Sequence, residues 1–216
     1  MSHRPDKRKL QPPGKWPRQD RSNPQGSGAP GSGRSGSNCP LGVRRIRGGA
    51  GWMLVHPRSI RARSEDLEEV QEMIAVGEID IAIDELRWLL AGCSEMMEAH
   101  FLLGKLAVEA DGDLPLARAH FGFGYELGLR ALRRAKMPSP LPAEHPANQP
   151  FFDAGRGLAW CLHAQGKSPM ALKVIQQLLA CDPSDPLGLQ GWIDEIKLGH
   201  RTLVGLDETL GTKRSL

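Results

Sequence analysis

LHAQGKSPMALKVIQQLLACDPSDPLG (Leu162–Gly188) decides how the rest of the chain is read. Gly166 is followed five residues later by Ala171, Ile175 stands four beyond it, and Pro183 closes the run. A glycine permits positive φ where one helix ends. A small alanine fits the tight crossing of two helices, where a larger side chain would clash. The apolar residue four later packs into the interface with the next unit, and proline stops the helix. The spacing predicts an antiparallel helix pair able to stack on a neighbour.

The same register recurs upstream. Gly77 and Gly112 are also followed five residues later by alanine, at Ala82 and Ala117, with Leu86 and Phe121 four further on. From Gly77 to Gly112 is 35 residues, and from Gly112 to Gly166 is 54. The excess matches an insertion of roughly 20 residues where the Pro-rich MPSPLPAEHPANQP (Met137–Pro150) sits, a stretch that cannot continue a helix. SEDLEEVQEMIAVG reads as a first helix, with Ser64 as N-cap and Leu67, Val70, Met73 and Ile74 on one face. EIDIAIDELRWLLAG carries Ile79, Ala82, Ile83, Leu86, Leu89 and Leu90 on one stripe. EMMEAHFLLGKLAVEA and LPLARAHFGFGYELGLRALRRAK form the second pair, and FFDAGRGLAWCLHAQG with KSPMALKVIQQLLACD the third. SDPLGLQGWIDEIKLG reads as a closing helix capped by Asp185, with Pro186 at its first position. Gly122, Gly124 and Gly128, inside the long second helix of the second pair, are expected to mark close packing against the inserted loop.

This pattern resembles the tetratricopeptide repeat (TPR) family, whose 34-residue helix–turn–helix unit carries W-x2-L-G-x2-Y, then A-x3-F, then P. Unit two supplies Leu103-Gly104, Ala107, Ala117 and Phe121; unit three supplies Leu158-Ala159, Leu162, Ala171, Ile175 and Pro183. Unit one keeps Val70, Met73, Ala82 and Leu86 but lacks the Leu-Gly pair. The resemblance implies an all-α, TPR-like helical-hairpin solenoid over residues 63–200, with 137–150 inserted and 201–216 as a fraying tail. It implies a concave face, lined by the first helix of each unit, that holds a peptide or protein. On that face it places Gln71, Phe101, Lys105, Arg156, Trp160 and His163. Arg156, Trp160 and His163 fall at i, i+4 and i+7, so a cation, an aromatic ring and an imidazole share one stripe able to grip an acidic or C-terminal carboxylate peptide. The carboxylate clamp of chaperone-binding TPR proteins is not expected, because Phe101 stands where its asparagine would and only Lys105 is suitably placed.

Charge divides the chain. Residues 1–62 hold 13 Lys/Arg against Asp6 and Asp20, a net of +11, whereas residues 63–216 hold 15 against 23 Asp/Glu, a net of −8. The Gly/Pro/Ser/Arg-rich arm over 1–62 lacks the apolar surface to offset ordering entropy and is expected to be disordered. Within it GWMLVHPRSI (Gly51–Ile60) is an apolar patch, a docking strand or a loop packed on the first helix. Two readings of the arm stay open: it holds nucleic-acid phosphates by counterion release, or it lies upstream of a start at Met53. The helical body as a homo-oligomer subunit is a third functional reading, since three units leave apolar end faces.

Cys39, Cys93, Cys161 and Cys181 show no CxxC pair and read as reduced thiols in a cytoplasmic protein. No secretory h-region and no run of 18 apolar residues is present, so neither export nor membrane insertion is expected. His100, His120, His145 and His163 lack metal-ligand spacing, GFGYELG lacks the Lys-Ser/Thr of a phosphate loop, and no nucleophile elbow occurs. The expectation is a non-catalytic adaptor without cofactor or metal.

Overall fold

Gly77, Gly112 and Gly166 adopt φ of 86°, 63° and 73°, and each turns the chain from one helix into the next. In each turn the residue after the glycine donates its N–H back into the preceding helix. Glu78 bonds Met73 at 2.9 Å, Asp113 bonds Ala107 at 2.8 Å and Lys167 bonds Leu162 at 2.8 Å. These bonds satisfy carbonyls a helix end would otherwise leave open. The second spans one residue more than the others.

In this computed structural model residues 40–110 and 112–199 are described. The elements, in chain order, are β1 (Gly42–Arg45), β2 (Trp52–Val55), α1 (Arg58–Arg61), α2 (Ser64–Ala75), α3 (Ile79–Gly92), α4 (Met97–Glu109), α5 (Leu114–Arg134), α6 (Gln149–Ala164), α7 (Ser168–Cys181) and α8 (Leu189–Lys197). The described chain is mostly helical. Helices pack in chain order, α2 on α3, α4 on α5 and α6 on α7, with α3 on α4, α5 on α6 and α7 on α8 joining the pairs, and α4 also meets α6.

The register residues sit where helices meet. Ala82, Ala117 and Ala171, and the apolar Leu86, Phe121 and Ile175, are all 0% exposed. Leu86 lies in a core shared by α2, α3 and α4, together with Leu67, Val70, Leu89 and Leu103. Phe121 fills a small core with Ala107, Ala117 and Cys161. Ile175 joins the largest core with Tyr125, Leu132, Phe151, Phe152 and Leu178.

Several expectations are corrected by the geometry. Residues 40–61, assigned to the arm by composition, form the strand pair and α1. β1 and β2 run antiparallel with Val43 opposite Leu54 and Arg45 opposite Trp52. Leu41 and Leu54 are buried in the largest core rather than on the first helix. The arm's expected disorder over residues 1–39 and the fraying of the tail lie outside the described residues.

Gly128 approaches the ring of Phe151, Gly124 approaches Ala154, and Gly122 faces Leu158, so the interior glycines of α5 fit it against α6 rather than against the inserted loop. Ser64 is the first residue of α2 and not its cap; its hydroxyl donates to Arg61 O at 3.2 Å. Asp185 stands three residues before the Gly188 N-cap, yet its carboxylate still accepts from Leu189 N at 2.7 Å and Gln190 N at 2.9 Å.

The inserted loop is a strap. Trp52 N donates to Pro140 O at 2.9 Å, and Leu141 N donates to Cys181 O at 2.7 Å. Ala143 N donates to the buried Asp182 carboxylate at 2.8 Å. Asn148, fully buried, accepts from Leu54 N at 2.9 Å and donates to Trp52 O and Pro142 O. One amide thus serves β2 on one side and the loop on the other.

Candidate functional site

The six residues expected on one face come from α2, α4 and α6. Packing of α4 against α6 brings four of them into a single neighbourhood. Phe101 and Trp160 are half-buried and lean on the same small core of Ala107, Phe121 and Cys161, with Val108 and Leu158 beside them. The rings of Phe101 and Phe121 stand 5.8 Å apart. Two glycines permit this approach: a Cβ on Gly104 of α4 or on Gly157 of α6 would come within 2.7 Å of the Phe121 ring.

Lys105, one turn beyond Phe101, is paired with Glu109 at 3.6 Å and is mostly covered. Arg156, one turn before Trp160, is half-buried, and its Nε is shielded with no acceptor in reach. Burial pushes the pKa of this guanidinium below its ordinary value, and the charge of Asp153 opposes that. A shielded, unpaired donor on a cation is costly.

Gln71 and His163 are spoken for. The Gln71 side-chain amide donates to Glu98 Oε1 at 3.0 Å, tying α2 to α4. His163 Nδ1 and Ser168 Oγ lie 3.1 Å apart, pinning the end of α6 to the start of α7. The arrangement is therefore an apolar ledge of Phe101, Val108 and Trp160 flanked by the two cations Lys105 and Arg156. Val108 and Asp153 border it, and they and Glu98, the partner of Gln71, were not singled out from sequence. Their offsets of −3 and +7 from Phe101 and −3 from Arg156 are the helical signal that would have found them.

A second cluster lies where α4 and α5 meet. His100 and His120 place their Nδ1 atoms 3.4 Å apart, His100 Nε2 is 3.3 Å from Ser94 O, and the Phe123 ring covers His100 at 4.6 Å. Burial pushes the His100 pKa down to about 4, the hydrogen bond to Ser94 opposes this, and His120 adds to it. Two buried thiols are held protonated, since burial pushes Cys161 up to about 12 and Cys181 up to about 11. A raised pKa removes the thiolate that nucleophilic or metal-binding chemistry needs.

The fold is that of a mostly helical protein in which half-buried Phe101, Val108 and Trp160 lean on one small core. No protein-family model matches this chain, and no curated protein or solved structure does either.

Proposed function

We propose that the chain is a non-catalytic, TPR-like adaptor that binds an extended peptide or a protein segment along α2, α4 and α6. The carrying observation is the ledge itself: Phe101 and Trp160, 59 residues apart in sequence, lean half-buried on one core with Lys105 and Arg156 one turn away on their helices. Aromatic side chains in this setting offer large contact area at little conformational cost, and arginine beside them gives direction to a carboxylate. The turn glycines and buried register alanines support the repeat reading, because they build helix pairs of the same kind three times over.

A peptide-display selection against the full chain tests this. Enriched peptides are expected to lose at least ~10-fold in affinity on Trp160→Ala or Arg156→Ala, in the range of interface anchors. Trp88→Ala, at an exposed ring on α3, should leave binding unchanged. Failure to enrich any peptide, or equal sensitivity to all three substitutions at unchanged melting temperature, overturns the reading.

A further inference from the structure

The strand pair and the end of α5 bring positive charge together from distant sequence. Pro40–Gly51 contains Arg44, Arg45 and Arg47, and Leu127–Pro138 contains Arg130, Arg133, Arg134 and Lys136; neither segment has a carboxylate. β1 packs against α5, and Arg134 Nη2 donates to Leu41 O at 2.9 Å across 93 residues of sequence. All seven cations are exposed. The carboxylate close by on α5, Glu126, is paired with Arg133 at 3.3 Å.

We propose that this surface binds the phosphate backbone of nucleic acid, independently of the peptide ledge. Cations in the last turn of a helix complement its dipole, which accounts for Arg133 and Arg134. It does not account for Arg44, Arg45 and Arg47, which stand on a strand and its turn. Arg134 is committed to Leu41, and Arg45 lies over the Trp52 ring at 5.5 Å. Arg44 and Arg47 stand on β1 and in the turn after it, and Arg130 and Lys136 on and just beyond the end of α5.

Six of the seven are arginines, whose planar forks match phosphate oxygens in pairs. Charge spread over two segments suits a polyanion, which releases condensed counterions on binding, better than a single anion. The Trp52 ring beside them lies under Arg45 at 5.5 Å, so the surface offers phosphate contacts rather than base stacking, and binding is expected to be independent of sequence. The eight Lys/Arg of residues 1–39 immediately precede this surface in the chain, so the experiment must separate the two.

The full chain is titrated against mixed-sequence duplex DNA and single-stranded RNA of about 20 nucleotides, between about 50 and 200 mM salt. An Arg44→Gln/Arg47→Gln/Arg130→Gln variant is expected to keep the wild-type melting temperature. It should bind at least ~10-fold more weakly, with the log-affinity against log-salt slope shallower by about 2–3. Should the triple variant melt early, Arg47→Gln with Lys136→Gln reads the same quantity, with a slope change of about 1.5–2. No binding by the wild type overturns the proposal. So does unchanged affinity and slope in the variants, which would assign any binding to residues 1–39. Tighter binding to polyglutamate or to phosphatidylserine vesicles than to nucleic acid also overturns it, in favour of an acidic protein or a membrane surface.

Discussion

Phe121 shows how far single residues determine this fold. Its ring is fully buried and faces Gly104 on one helix and Gly157 on another, each with room for a hydrogen and not for a methyl. A ring enclosed on both sides cannot move aside, so Gly157→Ala is expected to destabilise by about 1–3 kcal/mol despite alanine's better helix propensity. Gly122→Ala is the control, because its new Cβ would meet Leu158 at an ordinary 3.7 Å. It should gain up to about 1 kcal/mol from propensity alone. Chemical denaturation of the two variants separates packing from backbone effects. The importance of Gly104 was legible in the Leu-Gly pair. That of Gly157 was not, because it sits two residues before the small position the repeat pattern highlights.

The buried histidine makes a second residue-scale prediction. Folded His100 binds its proton only near pH 4, whereas an unfolded histidine does so near 6.5. Between those values the unfolded chain carries more protons, so this contribution to stability is fully present above pH 6.5 and is lost as pH falls towards 4. Burial shifts His56 and His120 the same way. Urea unfolding from about pH 7 to about pH 5 is expected to show falling stability. The fall should be smaller in His100→Gln, whose side chain takes up no proton; an equal fall in both proteins would refute the assignment.

Among the elements, the helices were legible, β2 was offered as one of two readings of Gly51–Ile60, and β1 was not legible, for a physical reason. Each helix carries its evidence locally, in a 3.6-residue stripe and a terminal glycine, as in Ile79–Leu90 closed by Gly92. β1 reads GVRR, with one large apolar residue, and β2 obtains its outer partners from residues such as Pro140 and Asn148. The apolar WMLV marks β2 locally, but its completion by a side chain 94 residues away does not show in the sequence around it. Asn148→Ala should leave Leu54 N without an acceptor in the core, at a cost of about 1–3 kcal/mol before any cavity is counted. Asn148→Asp keeps the acceptor but loses both donated bonds and buries a charge, so it should be at least as damaging near neutral pH. Hydrogen exchange read at Leu54 and Trp52 distinguishes loss of the strap from global destabilisation: both amides should lose protection well before those of α2 and α3.

At the scale of the molecule, charge and packing are unevenly shared. Residues 64–91, the α2–α3 pair, hold nine carboxylates and only Arg87, while the strand pair and the end of α5 hold seven cations in segments free of carboxylate. Composition exposed the basic and acidic halves but placed their boundary at residue 62, because Arg44, Arg45 and Arg47 count as arm by charge. Leu41 and Leu54 count as core by burial. The core criterion is the one that governs stability. A chain begun at Met53 loses the ladder from β1 to β2, the acceptor of Arg134, and the burial of Leu41 and Val43. Burying an aliphatic side chain of this size contributes about 1.5–3 kcal/mol when complete. The fragment 53–216 is therefore expected to be less stable than 40–216 by about 3 kcal/mol or more, with the loss read as a lower denaturation midpoint. Equal midpoints would mean that the strand pair rests on the helical body without supporting it, and that residues 40–52 serve only as a carrier of charge.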